Sequence, residues 1–515
     1  MKRGKVYLVG AGPGDPKLIT LRGLECIQRA DVVVYDRLAS PRLLRHMKPG
    51  AEKVYVGKLP DRHTMKQEDI NQLLADIALT GKTVTRLKGG DPSIFGRVAE
   101  EAELLVDNGI EFEIIPGITS AIAVPTYAGI PVTHREIASS LSIITGHENP
   151  EKLDQNIDWA KLTNATGTLI FLMGVAKIGY ISEQLIRYGR SPQTPVALIR
   201  WGTRVEQRTL TGTLETIAEL VRQANFQPPA VIVVGEVVLQ RDKLQWYEKK
   251  PLFGKRVLVT RARSQASELA DRIDELGGEA VEFPVIRVEP VREAAKLAQL
   301  RAALAQLDTY DWLVFTSPNG VEHFFRSLRE AAADIRAIRR DAKIVAVGPK
   351  TAEALAERGL AVHALPAADY RAEGVLDAIR PELAAGQRVL LPRGDLARAW
   401  LPAELTQLGL AVTEVDVYET VPSGEDAAEI AELLRNKDVH IVTFTSSSTV
   451  THLLDLLKQA GEADPHNLLQ DITVVCIGPL TAETALKAGI QVHLTAKEAT
   501  IDSLVDSLVN TAVSV

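Results

Sequence analysis

Asp36 and Lys58 are an acid and a base at matching points of successive strand–helix units. Asp36 follows the apolar run Val32–Tyr35, and Lys58 follows Val54–Val56 through Gly57. A carboxylate and an amine on one rim can accept and return a proton from a bound molecule. Glycine-rich loops accompany them. Gly10-Ala11-Gly12-Pro13-Gly14-Asp15-Pro16 follows Val6–Val9, and Lys88-Gly89-Gly90-Asp91-Pro92-Ser93-Ile94-Phe95-Gly96-Arg97 follows Thr83–Leu87. A third loop, Pro116-Gly117-Ile118-Thr119-Ser120, follows Phe112–Ile115. Glycine lets backbone N–H groups come close to a ligand. Thr119 or Ser120 can cap the next helix and leave N–H groups for a carboxylate. Asp91 is placed to accept hydrogen bonds from a ribose or an ammonium group. Pro13 and Asp15 stand where a dinucleotide loop would begin its helix, and no Gly-Lys-Ser/Thr follows, so neither common nucleotide fingerprint fits. Each residue alone has a plain structural use: Asp36 and Thr119 as helix caps, Lys58 as a solvated turn lysine, Gly-Gly-Asp as a turn. The ordered set carries the signal.

The elements that must hold these residues alternate. Strand-type runs at Val6–Val9, Val32–Tyr35, Val54–Val56, Thr83–Leu87 and Phe112–Ile115 are separated by helical patterns such as Leu21, Leu24 and Ile27. Alternating β and α predicts a mostly parallel sheet with ligand loops at the carboxyl ends of its strands. A second cluster of runs (Ser142–Thr145, Thr168–Met173, Val196–Ile199, Ala230–Val234) predicts a second lobe, with a boundary near residues 135–150. The polar stretch Gln240–Lys255 with Pro251 and Gly254 reads as a linker between two modules.

The second module is internally duplicated. Leu258-Val-Thr-Arg261 recurs as Leu390-Leu-Pro-Arg393, Phe315-Thr-Ser-Pro as Phe444-Thr-Ser-Ser, and Val347-Gly-Pro-Lys-Thr351-Ala as Ile477-Gly-Pro-Leu-Thr481-Ala, at offsets of 129 to 132 residues. Three cassettes at one offset predict two similar α/β lobes with a cleft between them. Ser and Thr recur at the strand ends, among them Thr351, Thr445, Ser446 and Thr481, and suit an anionic small molecule; helix capping is their plain alternative.

The chain has 515 residues, with 46% hydrophobic and 24% charged, an ordinary globular balance. Residues 1–250 carry 32 Lys+Arg against 28 Asp+Glu, and the rest 27 against 38. No basic nucleic-acid face is evident. No apolar run reaches the roughly 18 to 20 residues that span a bilayer, so no membrane role is expected. Cys26 and Cys476 read as core residues, with neither a disulfide framework nor a metal site, and the start Met-Lys-Arg-Gly-Lys shows no signal peptide. A cytoplasmic location is expected.

The ordered strings Val9–Pro16, Ala30–Leu38, Val56-Gly57-Lys58, Arg86–Arg97, Pro116–Ala121 and Tyr127–Arg135 closely resemble uroporphyrinogen-III C-methyltransferase of the tetrapyrrole methylase family, over roughly residues 4–246. The resemblance implies a two-lobed α/β fold (lobes about 1–135 and 140–246) and a homodimer. It implies S-adenosyl-L-methionine as methyl donor, touching Pro13, Gly89, Gly90, Asp91, Ile94, Thr119, Ser120, Met173 and Gly202. Asp36 and Lys58 match the positions assigned to proton transfer. Arg37, Arg97, His134 and Arg135 are candidates for the eight carboxylates of the substrate, with structural salt bridges as their alternative. Pro125-Thr126-Tyr127 departs from many relatives, which have alanine in the middle.

The duplicated cassettes, with Val417-Tyr418-Glu-Thr420, are similar to uroporphyrinogen-III synthase over residues 255–510. That similarity implies interleaved lobes, 255–287 plus 421–510 and 290–420, after a linker at 247–254. Tyr418 matches the candidate for assisting departure of hydroxide, and Thr351, Thr445, Ser446 and Thr481 match cleft-lining positions. Together the resemblances imply that one chain cyclises hydroxymethylbilane to uroporphyrinogen III and then methylates it twice to precorrin-2, without a metal, for sirohaem or cobalamin. Linkage would raise the local concentration of the intermediate. The alternatives are a methylase of a later corrinoid, or a tetrapyrrole-binding regulator with an inactive half.

Overall fold

The computed structural model describes residues 3–57, 65–146, 157–261, 263–367, 370–423 and 427–513. Lys58 lies outside the described residues. The contacts divide the chain into two compact units, Met1–Arg256 with Arg272–Glu279 and Leu508–Val515, and Val257–Asp271 with Ala280–Ser507.

The first unit contains two five-stranded sheets. In the first, β1 (Lys5–Gly10), β2 (Val32–Tyr35), β3 (Glu52–Tyr55), β4 (Val84–Lys88) and β5 (Glu111–Ile115) run parallel in the order β3-β2-β4-β1-β5. The central strands are buried on both faces: Val6, Leu8, Val32 and Val34 pack on one side, and Val9, Val33 and Leu87 on the other. This explains their near-continuous apolar runs. The second sheet has the order β6-β7-β10-β8-β9 and joins β6 (Leu141–Thr145), β7 (Thr168–Leu172), β8 (Pro195–Arg200), β9 (Arg208–Thr213) and β10 (Ala230–Val234). Only β6 and β7 pair in parallel; β10 runs antiparallel to both β7 and β8, and β9 to β8.

The duplication of the second half reappears as geometry. One sheet has the order β12-β11-β18-β19-β20, from β11 (Arg256–Val259), β12 (Glu279–Glu282), β18 (Ile441–Phe444), β19 (Thr473–Cys476) and β20 (Leu494–Thr495). The other has the order β13-β17-β16-β14-β15, from β13 (Ile286–Pro290), β14 (Trp312–Phe315), β15 (Lys343–Ala346), β16 (Arg388–Gly394) and β17 (Ala411–Pro422). The parallel triplets β11-β18-β19 and β16-β14-β15 are the two copies of the repeated cassettes, in the same strand order. The lobes interleave. The chain crosses out along β13 and back along the end of β17, and these stretches pair antiparallel, Ile286 with Pro422 and Pro290 with Tyr418. Cys26 and Cys476 are free and buried. Among the described residues no helix is long and apolar enough to cross a membrane.

The polar stretch after β10 packs firmly onto the first unit. Tyr247 is 8% exposed and Leu252 fully buried. The Tyr127 ring meets Trp246 at 5.0 Å and Tyr247 at 4.9 Å. Glu248 accepts from Arg241 at 2.6 Å, Gln207 at 2.8 Å and Thr209 at 2.8 Å. Burial works against the Glu248 carboxylate, but these donors outweigh it and hold its pKa below the usual glutamate range. Removing one partner of such a covered pair costs about 3–5 kcal/mol. Glu248→Ala should therefore lower the urea midpoint of the first unit's unfolding, read by tryptophan fluorescence at neutral pH. The sign of the pH effect follows: the contribution is present at neutral pH and is lost as pH falls through the depressed folded-state pKa of Glu248.

Candidate active sites

Three glycine-bearing loops meet at the carboxyl edge of the first sheet, where the central strands β1 and β4 lie side by side. Gly12 and Gly90 exchange backbone hydrogen bonds, Gly90 N–H to Gly12 O at 2.7 Å and Gly12 N–H to Gly90 O at 3.2 Å. The loops touch through bare backbone. A Cβ on Gly10 would lie 2.6 Å from Gly117 Cα, and a Cβ on Gly117 would lie 2.5 Å from Gly90 O. Gly90 adopts φ +73°, and a Cβ there would point toward Ser120 N at 3.6 Å and Thr119 Cα at 3.8 Å. A side chain at position 90 would therefore project toward Thr119 and Ser120. Thr119 caps the helix Ser120–Tyr127, its Oγ1 accepting from Ala121 N–H. Asp91 stitches the loops: its carboxylate accepts from Ser93 N–H at 2.7 Å and from Gly117 N–H at 2.9 Å. Gly89 backs onto Leu38, and Ile94 is 36% exposed on the rim.

The second lobe closes against this edge. Asp15 N–H donates to Thr203 Oγ1 at 3.0 Å, and Tyr127 Oη to the Asp15 carboxylate at 2.9 Å. The partly buried Pro13 lies in the same loop. Trp201 (φ +47°) and Thr203 (φ +68°) hold left-handed backbone in the loop that faces it, and Met173 (φ +58°) does so at the end of β7. Such strain in side-chain-bearing residues collects where surroundings over-determine a functional geometry. Met173 is 55% exposed. Gly202 is pressed onto the capped helix, where a Cβ would lie 2.3 Å from a Val124 methyl. Gly202→Ala should therefore destabilise the first unit by about 1–3 kcal/mol, measured as a shift of its thermal unfolding.

Asp36 sits above a buried charge network. Its carboxylate accepts from Leu38 N–H at 2.9 Å and from the Arg86 guanidinium at 2.8 Å. Arg86 approaches Glu101 at 3.8 Å, and Lys88 donates to the same Glu101 oxygen, which also accepts from Gln67 at 3.0 Å. Glu101 is fully buried, Arg86 4% and Lys88 6% exposed. Burial holds the Lys88 ammonium below the usual lysine range, with Glu101 opposing. Two cations and two carboxylates thus balance beneath the loops and fix Asp36 on the rim.

Of the substrate candidates, Arg37 and Arg97 belong to loops of this edge, whereas His134 and Arg135 follow the capped helix Ser120–Tyr127 and are not brought to it. Arg37 is exposed and lies over the Trp201 ring at 5.5 Å, with Arg204 4.8 Å from the same ring. Arg97 pairs with Glu100 three residues on. Arg135 is exposed, while His134 Nδ1 accepts from Glu136 N–H.

In the second half the hydroxyl residues stand at strand ends. Ser317, after β14, caps the helix Pro318–Glu330, and its Oγ lies 3.3 Å from Tyr418 Oη. Burial raises the Tyr418 phenol pKa above its ordinary value, partly opposed by this hydrogen bond. Ser446, after β18, caps the equivalent helix Ser447–Gln459, with Thr445 beside it. Thr351 and Thr481 occupy the first turns of the helices Pro349–Ala356 and Pro479–Lys487 and are only 2% and 5% exposed. Thr445 and Ser446 are the more open of the four.

Two α/β enzyme modules, each with loops poised at strand ends, are therefore joined in one polypeptide. Residues 5–218 match the family of Tetrapyrrole (Corrin/Porphyrin) Methylases, and residues 267–506 match Uroporphyrinogen-III synthase HemD. The Porphyrin biosynthesis protein HemD of Ruminiclostridium josui is 39% identical over 508 residues, 99% of this chain and 98% of that protein. The Uroporphyrinogen-III C-methyltransferase of Priestia megaterium is 56% identical over 46% of this chain and 98% of its own length. The S-adenosyl-L-methionine-dependent uroporphyrinogen III methyltransferase of Methanosarcina barkeri is 53% identical over 47% of this chain and 94% of its own. The chain belongs to the tetrapyrrole methylases through its first half and to the uroporphyrinogen-III synthases through its second, a fusion that serves tetrapyrrole biosynthesis.

Proposed function

We propose that the second half closes hydroxymethylbilane to uroporphyrinogen III, with inversion of ring D and loss of water. The first half then transfers two methyl groups to give precorrin-2, on the way to sirohaem or cobalamin. The observation that carries this reading is the meeting of three glycine-bearing loops, Gly12 with Gly90 through bare backbone and Asp91 with Gly117, with Asp36 held on the same rim. S-adenosylmethionine, when bound at these loops, supplies an electrophilic methyl on a sulfonium.

The chain's own residues then have separable tasks. Pro13, Gly89, Gly90, Ile94, Thr119 and Ser120 shape the donor pocket, Met173 and Gly202 line it from the second lobe, and Asp91 holds its loops together. Positioning supplies much of the rate for a reactive donor. Asp36 takes the proton lost from the macrocycle, and Lys58 assists. Arg37, Arg97, His134 and Arg135 hold substrate carboxylates. In the other half Tyr418 passes its phenolic proton to the departing hydroxide, which leaves as water, while Thr351, Thr445, Ser446 and Thr481 line the substrate cleft. The methylase half works as a homodimer, and the enzyme acts in the cytoplasm.

The two halves are tested apart. Uroporphyrinogen III with methyl-labelled donor should yield a labelled macrocycle, and hydroxymethylbilane without donor should yield the ring-D-inverted isomer. Label retention by the donor removes the methylase assignment; an uninverted product removes the synthase assignment. Tyr418→Phe is expected to lower ring closure by about 10²-fold, the lower range of general acid help, in a stopped-time assay of the inverted isomer. Unchanged turnover excludes Tyr418 as proton donor.

A further inference from the structure

His323 is a buried histidine that none of the chemistry above uses. It lies on the helix Pro318–Glu330, is 5% exposed, and its Nδ1 has no hydrogen-bond partner among the described residues. What this side chain contributes is therefore its ring rather than a hydrogen bond from Nδ1. Its imidazole packs on the Tyr418 ring, with centroids 5.6 Å apart and planes tilted by 45°. The helix that carries it begins at Ser317, whose Oγ contacts the Tyr418 hydroxyl. One rigid element therefore touches both the ring and the oxygen of the phenol.

The opposite requirement appears on β16. The register between β16 and β17 shifts between Arg393 and Gly394, so that Gly394 faces Tyr418. A Cβ on Gly394 would lie 2.4 Å from two atoms of the Tyr418 ring. The ring occupies the space that any other residue at 394 would fill. Ser317 Oγ already accepts from Gly320 N–H at 3.0 Å, which fixes where the Tyr418 hydroxyl finds its contact. Burial lowers the pKa of His323, so the packed ring is neutral at physiological pH and adds no cation beside the phenol.

We propose that His323 is a positioning residue for the ring-closing reaction: its imidazole holds the Tyr418 ring in the space left by Gly394, with the phenolic hydroxyl against Ser317. The proposal rests on the reading of Tyr418 as the proton donor. An aromatic ring in that place supplies the packing, so phenylalanine should replace histidine and alanine should not.

The test is steady-state ring closure of hydroxymethylbilane by the full chain, with kcat, KM and the fraction of ring-D-inverted product read separately. His323→Ala should lower kcat about 10- to 100-fold at unchanged KM, as expected for a misplaced catalytic group. His323→Phe should recover kcat to within about threefold, and Gly394→Ala should fall like His323→Ala. A residue acting through Tyr418 gives non-additive effects, so Tyr418→Phe with His323→Ala should be no slower than Tyr418→Phe alone. Wild-type kcat in His323→Ala overturns the proposal, as does His323→Phe as slow as the alanine variant, or a double variant whose losses multiply. If Tyr418→Phe itself turns over normally, the proton-donor reading and this proposal fall together. If only His323→Ala turns over normally, the proposal falls alone. Thermal unfolding of each variant shows whether the ring-closing half is folded, and the Phe rescue and the double variant decide even where alanine destabilises.

Discussion

Gly90→Val is expected to abolish S-adenosylhomocysteine binding, with at least a roughly 100-fold loss of affinity by titration calorimetry. Two effects act together. Gly90 holds φ +73°, where a β-branched residue is a true outlier. The added side chain would also project toward Thr119 and Ser120, into the space assigned to the donor. A 100-fold loss corresponds to about 2.8 kcal/mol, within reach of either effect. The backbone exchange with Gly12 ties position 90 to the β1 loop, so the strain cannot be relieved by moving one loop alone. Ring closure of hydroxymethylbilane by the same variant should persist, because that chemistry belongs to the other half. Binding of S-adenosylhomocysteine within about threefold of the unaltered chain would mean that the donor lies elsewhere.

Asp36→Asn is expected to lower the methylation rate by about 10²- to 10⁴-fold, the range of general acid–base help, while S-adenosylhomocysteine affinity stays within about twofold. The amide keeps one acceptor oxygen, enough for Leu38 N–H or for Arg86 but not for both in their present places. Arg86 is buried and, once the Asp36 charge is gone, is left among the described residues with only Glu101, at 3.8 Å, as counter-ion, so the change also costs stability. Donor binding therefore serves as the control for an intact loop edge. Methylation at the original rate would remove Asp36 from the mechanism.

Legibility followed burial. The run Val32–Tyr35 is β2 to the residue, because a strand covered on both faces shows an unbroken apolar run. β3 begins at Glu52 rather than Val54: it is an edge strand, its pairing with β2 draws Glu52 and Lys53 into the ladder, and their exposed side chains hide it. β9, Arg208–Thr213, had no apolar signature because it too is an edge strand with half-exposed residues. Arg86 and Lys88 look like solvent-facing residues of a strand, yet every residue of β4 is buried. Only the distant Glu101, brought in by the helix Val98–Asp107, makes that burial tolerable, and no local pattern announces such a partner. The packing of the stretch Gln240–Lys255 was hidden for the same reason: Glu248 is satisfied by Arg241 and by the distant Gln207 and Thr209, while Trp246 and Tyr247 pack on Tyr127. His323 gave no signal at all, since its meaning depends on Tyr418, almost a hundred positions later.

The most direct measurement gives the purified chain hydroxymethylbilane and methyl-labelled S-adenosylmethionine together and weighs the macrocycle by mass spectrometry. Two labelled methyl groups on a ring-D-inverted product, formed with no other protein present, is the predicted result. An inverted macrocycle without label, or label found only when uroporphyrinogen III is supplied ready-made, would contradict the joining of both activities in this polypeptide.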